Sequence, residues 1–160
     1  TGRVRKNLKK TVKIPAGIDN GQSLCLRGMG SAGHKGGPNG DLYVTISVRG
    51  HKQFTRKGFD LYLQMPISYT MAALGGSLTV PTLSESVKYQ IPAGTQTGST
   101  YRLREQGIQR LNASGKGDLL VTVTVEVPKH LTDEQKKLLE QFAATLGESG
   151  ETRQSKKKRF

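Results

Sequence analysis

Leu42, Val44, Ile46 and Val48 alternate with other residues along Asp41–Arg49, and that period of two predicts a strand with one buried face. Phe59, Leu61, Leu63 and Met65 repeat the alternation and stop at Pro66; Leu78 and Val80 make a shorter version ahead of Pro81. Val4, Leu8, Val12 and Ile14 all occupy even positions, mostly between basic or polar residues, which predicts an N-terminal strand with one wet face. Further short strands are expected at Ser23–Arg27, Ser86–Ile91, Thr100–Glu105 and Asp118–Val127. Turn formers punctuate them: Pro15-Ala16-Gly17, Asn20-Gly21, a Gly-rich loop over Gly28–Gly40, and Gly75-Gly76. His51–Lys57 reads as a polar connector with one apolar anchor, Phe54, and Tyr69–Leu74 suits one or two helical turns.

The pattern is duplicated. Ile14–Val48 recurs at Ile91–Val125 with a constant offset of 77, no gap, and 14 identities in 35 positions. Ile14-Pro15-Ala16-Gly17 returns as Ile91-Pro92-Ala93-Gly94, and Gly40-Asp41-Leu42 as Gly117-Asp118-Leu119. The shared residues are turn formers and one apolar strand face, which is what two copies of one β-unit require. The predicted fold is therefore mainly β: two related antiparallel β-sandwich-like units, the first incomplete, followed by a C-terminal helix.

That helix is predicted over Asp133–Leu146. Thr132 with Gln135 forms a capping box, and Gly147 supplies the stop. Leu131, Leu138, Leu139, Phe142, Ala143 and Leu146 form one apolar stripe that must be buried on its own β-unit or on a second copy. From Glu148 onward the chain is polar and charged, and disorder is expected.

Charge changes the picture less than its size suggests. The net charge is +13, but 11 of the 25 basic residues lie in the first 13 positions or in the tail from Arg153. Ile14 to Thr152 carries 14 basic and 12 acidic residues, close to neutral. Basic ends attract polyanions in a salt-sensitive way. No aromatic ladder alternates with Arg or Lys to stack bases, so a nucleic-acid-binding β-module is the weaker alternative. No apolar run reaches the ~20 residues of a membrane span, and no basic-then-apolar leader suggests secretion. The single cysteine, Cys25, lies in Leu24-Cys25-Leu26 and is expected to be a small buried hydrophobe in a reducing compartment.

Chemistry-bearing motifs are weak. Gly28-Met29-Gly30-Ser31-Ala32-Gly33 matches a dinucleotide fingerprint, but the following His34–Gly40 cannot start the helix that the fingerprint needs. His34, His51 and His130 have no Ser, Cys or acid at motif spacing, and no metal-ligand spacing occurs. Asp41 and Asp118, equivalent in the repeat, are expected to shape the turns into their strands. No catalytic residue and no metal site is predicted. Phe54 stands out: it either plugs its own small core or lines an apolar groove beside an open strand edge, suited to extended peptides.

Taken together, Ile14-Pro15-Ala16-Gly17, Gly40-Asp41-Leu42-Tyr43-Val44, His51-x-x-Phe54-x-Arg56, Ala72-Ala73-Leu74-Gly75-Gly76, Val80-Pro81-Thr82-Leu83 and Leu131-Thr132 resemble the C-terminal client-binding region of DnaJ-type co-chaperones. The resemblance covers roughly residues 1–146 and looks bacterial or organellar. It implies a homodimer that holds non-native polypeptide and, in a parent protein, delivers it to a DnaK-type ATPase. It assigns client binding to Phe54, with Val12 and Ile14 bordering the groove. It assigns dimerisation to Leu131, Leu138, Leu139, Phe142 and Leu146. No His-Pro-Asp and no Cys-x-x-Cys occurs, so the chain is expected to be a fragment without J-domain or zinc repeats, zinc belonging only to an upstream part of a zinc-type parent. Cys25 stands where the family usually has Arg, and Glu105 where it usually has Gly. The resulting division is residues 1–50 as the remnant of a first β-domain, 51–128 as a second, 129–147 as a dimerisation region, and 148–160 as a basic tail. The expected setting is a bacterial cytoplasm or an organelle interior.

Overall fold

The computed structural model describes residues 7–147. Its strands are β1 (Ser23–Leu26), β2 (Leu42–Thr45), β3 (Phe54–Lys57), β4 (Asp60–Ser68), β5 (Gly76–Val80), β6 (Val87–Ile91), β7 (Thr100–Leu103) and β8 (Leu119–Glu126). Helix α1 is Tyr69–Leu74 and helix α2 is Asp133–Thr145. The fold is mainly β with antiparallel pairing and a C-terminal helix, as the alternation and the capping box predict. One compact unit ends at Val125 and a second begins at Glu126.

β1 and β2 form a two-stranded sheet, β5 and β6 another, and β3-β4-β8-β7 a four-stranded sheet in that order. The core lies between the larger sheet and the β5–β6 pair: Phe54, Leu61, Leu63, Ile67, Ala72, Leu78, Val80, Ile91, Leu103, Leu119, Val121 and Val123. Along β8, Leu119, Val121 and Val123 are fully buried while the residues between them are not. Each such side chain removed from water contributes roughly 1.5–3 kcal/mol.

The repeat is structural down to its hydrogen bonds. Ser23 opposes Thr45 and Leu26 opposes Leu42; 77 residues on, Thr100 opposes Thr122 and Leu103 opposes Leu119. The Gly21 amide donates to Ile46 and the Gly98 amide to Val123, both at 2.8 Å. The Gly30 amide donates to Gly40 at 2.7 Å and the Gly107 amide to Gly117 at 2.8 Å. Asp41 Oδ1 accepts from the Gly28 amide at 3.0 Å and Asp118 Oδ1 from the Glu105 amide at 3.1 Å, so both acids close their own loops.

Four expectations are corrected. Asn7–Ile14 is not a strand, because no strand lies beside it among the described residues to share a ladder. Residues from Phe54 to Lys57 are not a connector but strand β3, paired with β4 through Phe54–Leu63 and Lys57–Asp60. β4 runs through Pro66 instead of stopping there; β3 flanks it only as far as Leu63, so the missing proline N–H costs no bond to β3. Cys25 is exposed. Leu24 and Leu26 turn partly inward, and the period of two puts the residue between them on the other face. The Val4 position and the basic tail at 148–160 fall outside the described residues.

Candidate functional site

β3 is the terminal strand of the four-stranded sheet. Gly58 and Phe59 link it to β4, and the pairs alternate from Lys57–Asp60 outward. The Leu61 amide donates to Asp118 at 2.9 Å, away from β3. The Arg56–Leu61 pair is therefore of the non-bonded kind, as is Phe54–Leu63 two residues on. The N–H and C=O groups of Phe54 and Arg56 consequently point to the outer edge, where no strand lies among the described residues.

Beside that edge lies an open groove of about 620 Å³. Tyr62, Leu63, Met65, Pro66 and Pro81 give it apolar lining, and Lys52, Lys57 and Thr55 line it from β3 and the segment before it. The Lys57 ammonium sits 5.0 Å from the centre of the Tyr62 ring, a cation–π contact.

Phe54 lies elsewhere. Its ring is 6% exposed, belongs to the core, and stacks at a tilt 5.0 Å from the His51 imidazole. It occupies the face of β3 opposite the groove, whose lining includes neither Val12 nor Ile14. Val12 is half-buried and Ile14 is 55% exposed, both in the irregular segment before the first turn. Tyr62 and Met65 were missed by sequence reasoning. The only signal for Tyr62 is its polar-face position in an otherwise apolar alternation.

In the second unit, Thr132 Oγ1 accepts from the Gln135 amide and Gln135 Oε1 from the Thr132 amide, completing the predicted capping box. No residue of α2 is buried. Leu131, Leu138, Leu139, Phe142 and Leu146 are 41%, 59%, 45%, 42% and 55% exposed.

Two titrating groups are displaced from their ordinary range. The Glu105 amide and the Arg102 guanidinium, 2.7 Å away, hold the Asp118 carboxyl below it. A hydrogen bond with Cys25, reinforced by the charges of Cys25 and Asp41, pushes the Tyr43 phenol up. Neither lies in a nucleophile–base arrangement. Among the described residues no three His, Cys, Asp or Glu side chains converge to hold a metal ion, and no helix is long and apolar enough to cross a membrane.

A family described as "DnaJ C terminal domain" matches residues 2–128. The chain belongs to this family. It is 50% identical over 159 residues to "Chaperone protein DnaJ" of Clostridium acetobutylicum, covering 99% of this chain and 42% of that protein. The same-named proteins of Dichelobacter nodosus and Ruminiclostridium cellulolyticum are 51% identical over 160 residues and 53% over 146. Those matches cover 100% and 91% of this chain but 43% and 38% of the relatives. The chain thus spans less than half the length of the chaperones it matches.

Proposed function

We propose that this chain binds extended, partly apolar polypeptide at the outer edge of β3, as the client-holding part of a DnaJ-type co-chaperone. The observation that carries the reading is the conjunction of an open strand edge with an adjoining groove. The edge presents the main-chain groups of Phe54 and Arg56, and an added strand satisfies them whatever its sequence. Tyr62, Met65, Pro66 and Pro81 meet alternate side chains of that strand. Phe54 contributes from behind, fixing β3 against the core. Val12 and Ile14 offer a second apolar contact on the first unit. Binding of this kind involves no bond chemistry and no cofactor.

The apolar stripe of α2 supports self-association. Burying Leu131, Leu138, Leu139 and Leu146, with Phe142 beside them, yields roughly 1.5–3 kcal/mol each. The association cost is roughly 4–15 kcal/mol, so the homodimer is concentration-dependent. Two weak client sites held in one dimer gain avidity when a client spans both. In a parent protein the held client passes to a DnaK-type ATPase.

Fluorescence anisotropy with a labelled extended apolar peptide and a labelled random oligonucleotide, at low and physiological salt, tests the reading. Salt-tolerant peptide binding, weakened several-fold by the double substitution Tyr62→Ser, Met65→Ser, is expected. Peptide affinity unchanged by that double substitution would remove the groove from the assignment.

A further inference from the structure

The two copies of the Pro-Ala-Gly turn are anchored by different chemistry. In the second copy the link to the neighbouring element is main chain: the Gly94 and Thr95 amides donate to the carbonyls of Ala73 and Ala72 in α1, at 3.1 and 2.9 Å, while the Thr95 hydroxyl bonds within its own copy, to the Pro92 carbonyl and the Tyr101 hydroxyl. In the first copy it is one side chain, that of Arg56. Arg56 Nη1 donates to the Ile18 carbonyl at 2.8 Å and Nη2 to the Gly17 carbonyl at 2.9 Å. Its Nε donates to the Gly58 carbonyl at 2.8 Å and lies 3.7 Å from Asp19 Oδ1. The side chain is 19% exposed, so these bonds are shielded from competing water. The fork thus ties the β3–β4 hairpin to the first-copy turn through one planar group.

The surroundings show that the joint is tight. Gly17 has φ 89°, and a Cβ there would overlap the Gln109 carbonyl. Ile18 is buried at 9% exposure. From this point the chain runs into β1 and β2, whose two-stranded sheet stands apart from the four-stranded one.

We propose that Arg56 is a positioning residue: its guanidinium sets the orientation of the first β-hairpin, Ile14–Val48, relative to the β3–β4 hairpin. A lysine cannot replace it, because one ammonium point charge does not reproduce a planar fork bonded in three directions. On the client-binding reading above, the same joint fixes the distance between Ile14 and the groove, and so which clients can touch both.

The test uses the full chain and no client, which separates it from that reading. Cys25 is the only cysteine and is exposed on β1; Ser86→Cys adds a second label site in the other copy of the repeat's surroundings, just ahead of β6. Pulsed dipolar spectroscopy, on labelled chains diluted with unlabelled ones, then gives the intrachain distance between positions 25 and 86. A narrow distribution is expected for the parent chain and one at least twofold broader for Arg56→Lys and Arg56→Met. A Gln64→Cys, Ser86→Cys pair in a Cys25→Ser background reports the second β-unit alone and should stay narrow in all three. An unchanged distribution between positions 25 and 86 in Arg56→Lys would overturn the proposal. Equal broadening between positions 64 and 86 would overturn it too, because Arg56 would then be a general support of the fold.

Discussion

Glu105 and Gly28 hold the same backbone conformation, φ 60° and 69°, at the same step of the repeat, and only one of them is a glycine. The left-handed conformation costs a residue with a Cβ roughly 1–2 kcal/mol. The bond from the Glu105 amide to Asp118 fixes the backbone there regardless of the side chain. Glu105→Gly should therefore stabilise the protein by about 0.5–1 kcal/mol, after allowing for the extra freedom that glycine has unfolded. Gly28→Glu should destabilise it by a similar amount, since a Cβ at Gly28 meets nothing within 4 Å and only the backbone is strained. Urea unfolding midpoints for both variants check this; a lowered midpoint for Glu105→Gly would refute it.

Much of this was legible beforehand. The 77-residue offset marked the two hairpins as copies of one unit, and the roles of Asp41 and Asp118 in shaping their turns followed from turn chemistry. The boundaries of α1 and α2 came within a residue or so from Tyr69–Leu74 with Gly75-Gly76, and from Thr132 and Gly147. Strand β3 was illegible because Gln53, Thr55 and Lys57 are polar and Phe54 alone faces inward over four residues, too short a run for a period to emerge. Cys25 was misread because three successive apolar residues hide an alternation. The groove was illegible because it depends on Pro66 and Pro81, distant in sequence, and on which strand ends up at the edge of the sheet.

Gly117 and Gly40 are equivalent in the repeat but not in their surroundings. A Cβ on Gly117 would overlap the Phe59 carbonyl, whereas one on Gly40 meets only the Ser31 oxygen at 3.9 Å. Gly117→Ala should cost about 1–3 kcal/mol, the usual range for forcing extra volume into a packed site. Gly40→Ala should cost well under about 1 kcal/mol, as a substitution without steric conflict does. Thermal melts of the two variants measure the difference, and equal losses would contradict the packing.

The depressed Asp118 carboxyl makes stability depend on acid. Folded Asp118 holds a proton less tightly than it does unfolded, so the unfolded chain takes up more protons as the pH falls. Its contribution is fully present above the ordinary carboxylate range and disappears as the pH drops through the folded value. Asp118→Asn should be less stable at neutral pH and should lose less on acidification from about pH 5 to about pH 3, the window in which an unfolded carboxylate takes up its proton. Parallel slopes for the two proteins in that window would show that the carboxylate is not linked to folding.

Leu138, 59% exposed near the middle of α2, is the sharpest probe of self-association. On the self-association proposed above, the parent should sediment as a dimer at high concentration and Leu138→Asp should remain monomeric there, without changing its β-sheet signature. Sedimentation equilibrium across a hundredfold concentration range decides it. A variant that remains as dimeric as the parent would move the interface off this stripe.

The Pro-Ala-Gly turn docks on α1 through peptide groups, drawing on the carbonyls of Ala72 and Ala73, which every amino acid supplies. A changed side chain at exposed Ala73 leaves its carbonyl, and so that bond, in place. The equivalent turn held by Arg56 depends on one side chain: a single codon change removes both of the bonds that reach it. The two copies of one turn are thus secured in different ways, one to its neighbour's backbone and the other to its neighbour's side chain.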